Sequence, residues 1–367
     1  MLIRKFLILF VFSFCFFSCD ENTENEPSNG DGFNRTELLD NISNNIIVPA
    51  FDEFYNSLLI LQESSNIFID NPSTINLENL SNSWLDSYKL WQYIEMFDIG
   101  LAEVINYKGK MNIYPTDPDL INLNILNGNY DLNNNNNFDA RGFPAIDYML
   151  HGIAENNELI VNQYVNNSDY SNYLSSLINS MIYNTNLIIE DWISFKYDFV
   201  NSNGNTATSS VNKLTNDFIF YFEKGFRANK FGIPAGVFSI DPLPQNVEAF
   251  YKENVSKDLA IEALNACKSF FWGKYYDVDI YGPSLATYLD YLHTSNENNL
   301  TDVISEQFIE AENKINLLDN NFILQIQNNN NQMLFAYDAI QVMVVSFKVD
   351  LLQALSISVD YVDADGD

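Results

Sequence analysis

The stretch YSNYLSSLINSMIYNTNLIIEDWISF, residues 170–195, decides the fold. Tyr170, Tyr173, Leu174, Leu177, Met181, Ile188, Trp192 and Phe195 return to one face of a 3.6-residue repeat, which predicts a long amphipathic helix reaching nearly to residue 200. Toward the N-terminus the same periodicity runs through Leu77, Leu80, Trp84, Tyr88, Trp91 and Ile94 and stops at Gly100, and these aromatics read as core. Before it, Asn34 and Glu37 have capping-box spacing ahead of Leu38, Leu39, Ile42, Ile46, Phe51, Phe54, Leu58 and Leu61, with Pro49 expected to kink or break that helix.

Toward the C-terminus the polar run Asn201 to Thr206 is the expected domain boundary. Past it, helical stripes are carried by Leu214, Phe218, Tyr221 and Phe222, by Leu259, Ala263 and Phe270, and by Leu285, Tyr288 and Leu292. Further stripes run through Phe308, Ala311 and Ile315 and then through Leu334, Tyr337, Gln341, Val344, Lys348 and Leu351. Few stretches alternate with a period of two. The reading is an all-α chain of two antiparallel helical bundles, residues 34–200 and 207–362.

The ends carry a different message. Arg4 and Lys5 precede the apolar run Phe6 to Phe17, too short to span a bilayer, and Ser18-Cys19 follows as in a lipobox. The expectation is a lipoprotein signal peptide over 1–18 and acylation of Cys19, which anchors the protein to a membrane of the cell envelope. Residues 19–33 are acidic and poor in apolar groups and are expected to form a disordered tether, and residues 363–367 an acidic tail. Of the three cysteines only Cys267 lies beyond the anchor, so no internal disulfide is expected. With 49 acidic against 18 basic residues the net charge is −31, which repels nucleic acid and anionic headgroups and favours solubility.

Between Tyr107 and Arg141 the periodicity fails, and a long loop is expected there, followed by a short helix from Pro144 at its first position to His151. Asp131, Asn133, Asn135, Asn137 and Asp139 alternate as in a calcium loop, but Asn136 and Gly142 stand where its glycine and glutamate belong, so an exposed polar loop is the reading.

The segment Arg141-Gly142-Phe143-Pro144-Ala145-Ile146-Asp147-Tyr148-Met149-Leu150-His151-Gly152 resembles the signature region of the imelysin family. The likeness extends to Trp84–Gly100, to Tyr114-Pro115-Thr116-Asp117, to the stretch from Gly225 to Gly236 and to the acidic end. It implies an exported bacterial protein of two helical bundles, in a family first described as peptidases and often tied to iron uptake. The family signature is G-x-H-x-x-E. Here Gly142 matches, Pro144 replaces the histidine, and Asp147 replaces the glutamate with a shorter carboxylate. Proline offers a metal nothing, so no catalytic residue is assigned and peptidase activity is not expected.

Asp147 and His151, four apart on one helix, are the only local pair for a metal, which the family link suggests as iron or another divalent cation; the competing reading is a polar pair at a helix end. His293 lies far off in sequence. Arg141, Gly142, Pro144, Asp147, Arg227 and Lys230 are the candidate ligand-binding residues, expected in a cleft between the bundles, with structural ion pairs as the alternative. The expected function is ligand or metal binding linked to iron or nutrient uptake, with uptake or surface-transport components as partners. The alternatives are a divergent imelysin-type hydrolase with Asp147 as base and a non-catalytic surface interaction protein.

Overall fold

The computed structural model describes residues 31–292 and 299–361. The expected signal peptide, Cys19, most of the tether, His293 and the acidic tail lie outside the described residues. The tether expectation is corrected at its end, because residues 31–33 are tied to the body. The Phe33 ring stacks on Tyr288 at 4.1 Å, and Asp31 pairs with the fully buried Arg35 at 2.6 Å.

Helix α1 (Arg35–Asn41) is capped by the Asn34 side chain, which accepts the Glu37 amide as the sequence predicts. A wide π-helical segment, Ile42–Ile47, leads into α2 (Val48–Asp70). Pro49 therefore does not break the helix. It lies in the first turn of α2, and the carbonyl of Asn45, four residues before it, accepts the backbone amide of Tyr276 at 2.8 Å.

A short turn leads to α3 (Thr74–Trp91), and the pair forms a helical hairpin. After α4 (Leu101–Val104), the segment expected as one long loop instead contains α5 (Lys108–Met111), α6 (Pro118–Asn127) and a 3-10 turn, Asn135–Ala140. Caps rather than long periodicity make these elements. Asp117 accepts the amides of Asp119 and Leu120, Pro118 opens α6, and Gly128 closes it in the left-handed conformation. Within the calcium-like stretch, Asp131 caps the Asn133 amide and Asn137 is bonded to Asn124, so these groups hold the loop.

Helix α7 (Gly142–Asp147) starts two residues before the predicted Pro144 and passes into a π segment, Tyr148–Gly152. Gly142 is required at this start: its φ is +73°, and a Cβ there would meet the Met111 carbonyl oxygen at 2.1 Å. Helices α8 (Asn157–Asn166) and α9 (Ser168–Asn201) follow, the latter covering the long stretch read from residues 170–195.

After α10 (Ser210–Phe220) comes a twelve-residue π segment, Tyr221–Gly232, and then α11 (Ile233–Ala235). The remaining helices are α12 (Ser256–Trp272), α13 (Leu285–Leu292), α14 (Leu300–Asn316), α15 (Phe322–Val345) and α16 (Leu352–Ala354). The fold is all-α; among the described residues the one β feature is an isolated bridge between Lys274 and Tyr281.

Two helix groups result. α2, α3, α8 and α9 pack together, and α12, α14 and α15 pack with the π segment Tyr221–Gly232. The groups meet where α12 lies on α3, and their buried apolar side chains form one continuous core. Trp84, Tyr88 and Trp91 are buried in it, with Tyr88 stacked on Phe143 at 4.3 Å. The junction of the groups is the setting of the candidate site.

Candidate functional site: a buried polar seam

The chain between α11 and α12 has no apolar period, and its shape is set by side chains elsewhere. Ala249, Glu253 and Asn254 all take positive φ, a conformation that non-glycine residues adopt only under constraint. Asp147, 1% exposed, supplies that constraint: its carboxylate accepts the Tyr251 amide at 2.8 Å, the Lys252 amide at 2.9 Å and His151 Nδ1 at 2.9 Å. The other His151 nitrogen meets Ser81 Oγ at 2.8 Å, and Lys252 Nζ donates to the same hydroxyl.

Held this way, the loop drives Glu248 into the junction, where it is 2% exposed. One Glu248 oxygen pairs with the buried Lys230 ammonium. The other accepts from Gln92 Nε2 at 3.3 Å and from Asn112 Nδ2 at 3.0 Å. Lys230 also donates to Gln92 Oε1 at 2.8 Å, and Asn112 Nδ2 reaches Glu95 Oε1 at 3.0 Å. Tyr88 completes the network by donating to Asn112 Oδ1 at 2.5 Å. Residues from α3, the α5 edge, the π segment and the loop thus form one cluster.

Its charge is unbalanced, since Glu95 and Glu248 face the single ammonium of Lys230. Burial pushes the Glu95 carboxyl above its ordinary range; Lys230 opposes the shift and Glu248 adds to it. Burial, with the carboxylates of Glu248 and Glu95, raises the phenols of Tyr88, Tyr114 and Tyr221 well above their usual values.

Beside the cluster is a cavity of about 260 Å³ whose wall includes Glu95, Asn112, Tyr221, Lys108 and Lys224. Tyr221 is 5% exposed and its hydroxyl has no hydrogen-bond partner among the described residues. A buried hydroxyl left so costs on the order of 1–3 kcal/mol, which a bound polar group would offset. A second cavity, about 220 Å³, is walled by Tyr114, Thr116, Pro144, Asp147, Val247 and Tyr251.

Of the residues predicted from sequence, Lys230 is central to the network, and Asp147 and Pro144 line the second cavity. Arg141 and Arg227 stand apart. Arg141 donates to the carbonyls of Gly109 and Leu132, holding α5 against the start of α7. Arg227 donates to Tyr337 Oη at 2.9 Å and to Gln341, with Glu223 3.6 Å away. The convergence of four charged residues suggested by sequence therefore reduces to Lys230 and Asp147, joined through the Glu248 loop. Gly142 serves packing.

The donors of Asp147 and His151 are committed to the loop and to Ser81, so this pair does not fit a metal. Among the described residues no group of three or more His, Cys, Asp and Glu side chains stands placed to hold one. Sequence reasoning missed Gln92, Glu95, Asn112, Tyr221 and Glu248. A signal existed for three of them: Gln92 and Glu95 interrupt the apolar run from Trp91 to Phe97, and Glu248 lies between Val247 and Ala249-Phe250.

The family described as imelysin matches residues 47–344. No curated protein matches the chain. Among solved structures, a candidate iron-regulated protein A precursor from Parabacteroides distasonis superimposes with a TM-score of 0.73 at 14% identity, over 91% of this chain and 97% of that one. An imelysin-like protein from Psychrobacter arcticum gives 0.70 at 16% identity, over 89% of this chain and 97% of its own.

Proposed function

The chain belongs to the imelysin family, and from that premise we propose that it is an exported, lipid-anchored protein of the cell envelope that binds a polar ligand in the service of iron uptake. The observation that carries the binding role is the buried, unpartnered Tyr221 hydroxyl beside Glu95 on the wall of a 260 Å³ cavity. The name of the Parabacteroides distasonis neighbour supports the iron assignment. Commitment of Asp147 to Tyr251, Lys252 and His151 supports a binding role over a peptidase one, because the residue left in the signature serves to hold the loop that carries Glu248.

The test is titration of the full-length protein with ferric citrate, read by calorimetry. Saturable binding, weakened at least tenfold in Tyr221→Phe and in Glu95→Gln, is expected. Absence of binding, or binding unchanged in Tyr221→Phe, removes the reading. The anchor is tested separately. Cys19→Ala should release the protein from membranes, and a radiolabelled fatty acid that persists on this variant would refute acylation at Cys19.

A further inference from the structure

A further cavity lies away from the seam, where α12 meets the irregular chain that follows it. Its volume is about 550 Å³, and Tyr93, Lys268, Ser269, Trp272, Lys274 and Tyr281 line it together with Asn265. A neighbouring cavity of about 350 Å³ shares Tyr93, Ser269 and Lys274 with it and continues past Tyr275 and Tyr276. The two make one elongated groove with an aromatic side chain at several points along its length.

Two features set this groove apart. In a chain with 49 acidic and only 18 basic residues, the larger cavity presents two lysines and no carboxylate, while Asp277 and Asp279 stand on the wall of the neighbouring one. Both lysines are held by surface partners that a ligand anion displaces easily: Lys268 by Glu312 at 3.4 Å, and Lys274 by Asp279 at 3.3 Å, whose side chain is 84% exposed.

The groove is also preformed. Gly273 turns the chain with φ at +68°, and the Gly282 amide bonds the Gly273 carbonyl at 2.9 Å. Tyr275 donates its amide to the Ile280 carbonyl at 2.8 Å, and Tyr276 is pinned to Asn45. On the opposite wall Tyr93 is fixed by its hydroxyl to Glu262 at 2.9 Å.

We propose that this groove binds a short acidic oligosaccharide, its uronate carboxylates taken by Lys268 and Lys274 and its ring faces laid against Trp272, Tyr281 and Tyr93. Sugar rings offer C–H faces to aromatic planes and hydroxyls to groups such as Ser269 and Asn265, which is the set of partners present here. The net charge of −31 repels any polyanion at long range, so attraction of the uronates is local to the two lysines. This inference is independent of the seam site, since no residue lining the groove lines the seam cavities.

The test is calorimetry of the full-length protein with tetragalacturonate, and with a neutral tetrasaccharide as control. Saturable binding of tetragalacturonate is expected, at least tenfold tighter than the neutral sugar. A tenfold or greater loss in Lys268→Gln/Lys274→Gln and a several-fold loss in Tyr281→Ala should accompany it. Tyr281 is 59% exposed, so its truncation reports on contact with the sugar rather than on folding, and circular dichroism confirms that every variant is folded. The proposal is overturned if tetragalacturonate does not bind, if the double lysine variant binds it as well as the native protein, or if binding is indifferent to both Tyr281→Ala and Trp272→Ala.

Discussion

Lys230→Met is the most informative single perturbation of the seam. Lys230 and Glu248 are each about 2% exposed, and Lys230 is the only ammonium in a network holding two carboxylates. Removing it strands Glu248 in low dielectric and withdraws the charge that opposes the shift at Glu95. Breaking one side of a buried pair costs about 3–5 kcal/mol. At roughly 2 °C per kcal/mol for a chain of this size, the thermal midpoint should fall by about 6–10 °C.

Two controls separate this account from simple loss of packing. Glu248→Gln keeps an acceptor for Gln92 and Asn112, so the double variant Lys230→Met/Glu248→Gln should recover more than half of the loss. The deficit of the single variant should also shrink in acid. A buried carboxyl whose folded-state pKa is raised holds a proton that the unfolded chain has released, so stability rises as pH falls through the folded pKa toward the unfolded one. The assay is urea unfolding followed by circular dichroism across a pH series. A single variant within about 1 kcal/mol of the native protein, a double variant no more stable than the single one, or a deficit unchanged by pH would each refute the argument.

Asp147→Ala removes the acceptor for the Tyr251 and Lys252 amides; a loss of about 3 kcal/mol in urea unfolding is expected, with faster proteolysis around residues 249–254. Gly142→Ala forces a Cβ toward the Met111 carbonyl at positive φ and should cost about 2 kcal/mol or more, read as a lowered thermal midpoint. Burial, with the charge of Asp98 beside it, pushes the Asp217 carboxyl up to about 8 from 3.8. Its contribution is full below the unfolded pKa and is lost as pH rises through about 8, so Asp217→Asn should flatten the fall in urea midpoint over that window; an unchanged slope counts against it.

Much of the fold was legible because long helices announce themselves by period. The α9 stripe from Tyr170 to Phe195 and the Asn34 cap needed no tertiary information. Where structure depends on caps and distant partners, period fails. α6 owes its existence to Asp117, Pro118 and Gly128, which read equally well as loop residues. Pro49 reads as a breaker because the Tyr276 amide that completes its helix lies 227 positions away in the chain.

The site was legible only in part. Lys230 and Asp147 stood out as charges inside the signature-like segments. Arg141 and Arg227 stood out for the same reason, yet both serve packing. Glu248 sits in a stretch without motif or period, and only the loop geometry imposed by Asp147 carries it to Lys230. An acidic residue flanked by apolar neighbours was the available clue, and the burial of Glu248 and half-burial of Glu95 give it physical sense, because such neighbours draw the whole segment into the core.

The Pro49 arrangement bears on how this protein can be engineered. Proline inside a helix is about 3 kcal/mol less favourable than alanine, so Pro49→Ala is the first substitution a stabilisation campaign would select. Here it would return an intrahelical donor to the Asn45 carbonyl, in competition with the amide of Tyr276. A gain within the first helix group would then be drawn from the strap that shapes the Tyr276 side of the lysine-lined groove. Local repair and global design are at odds at this position, and a screen scored on melting temperature alone would retain the change while discarding what the proline protects.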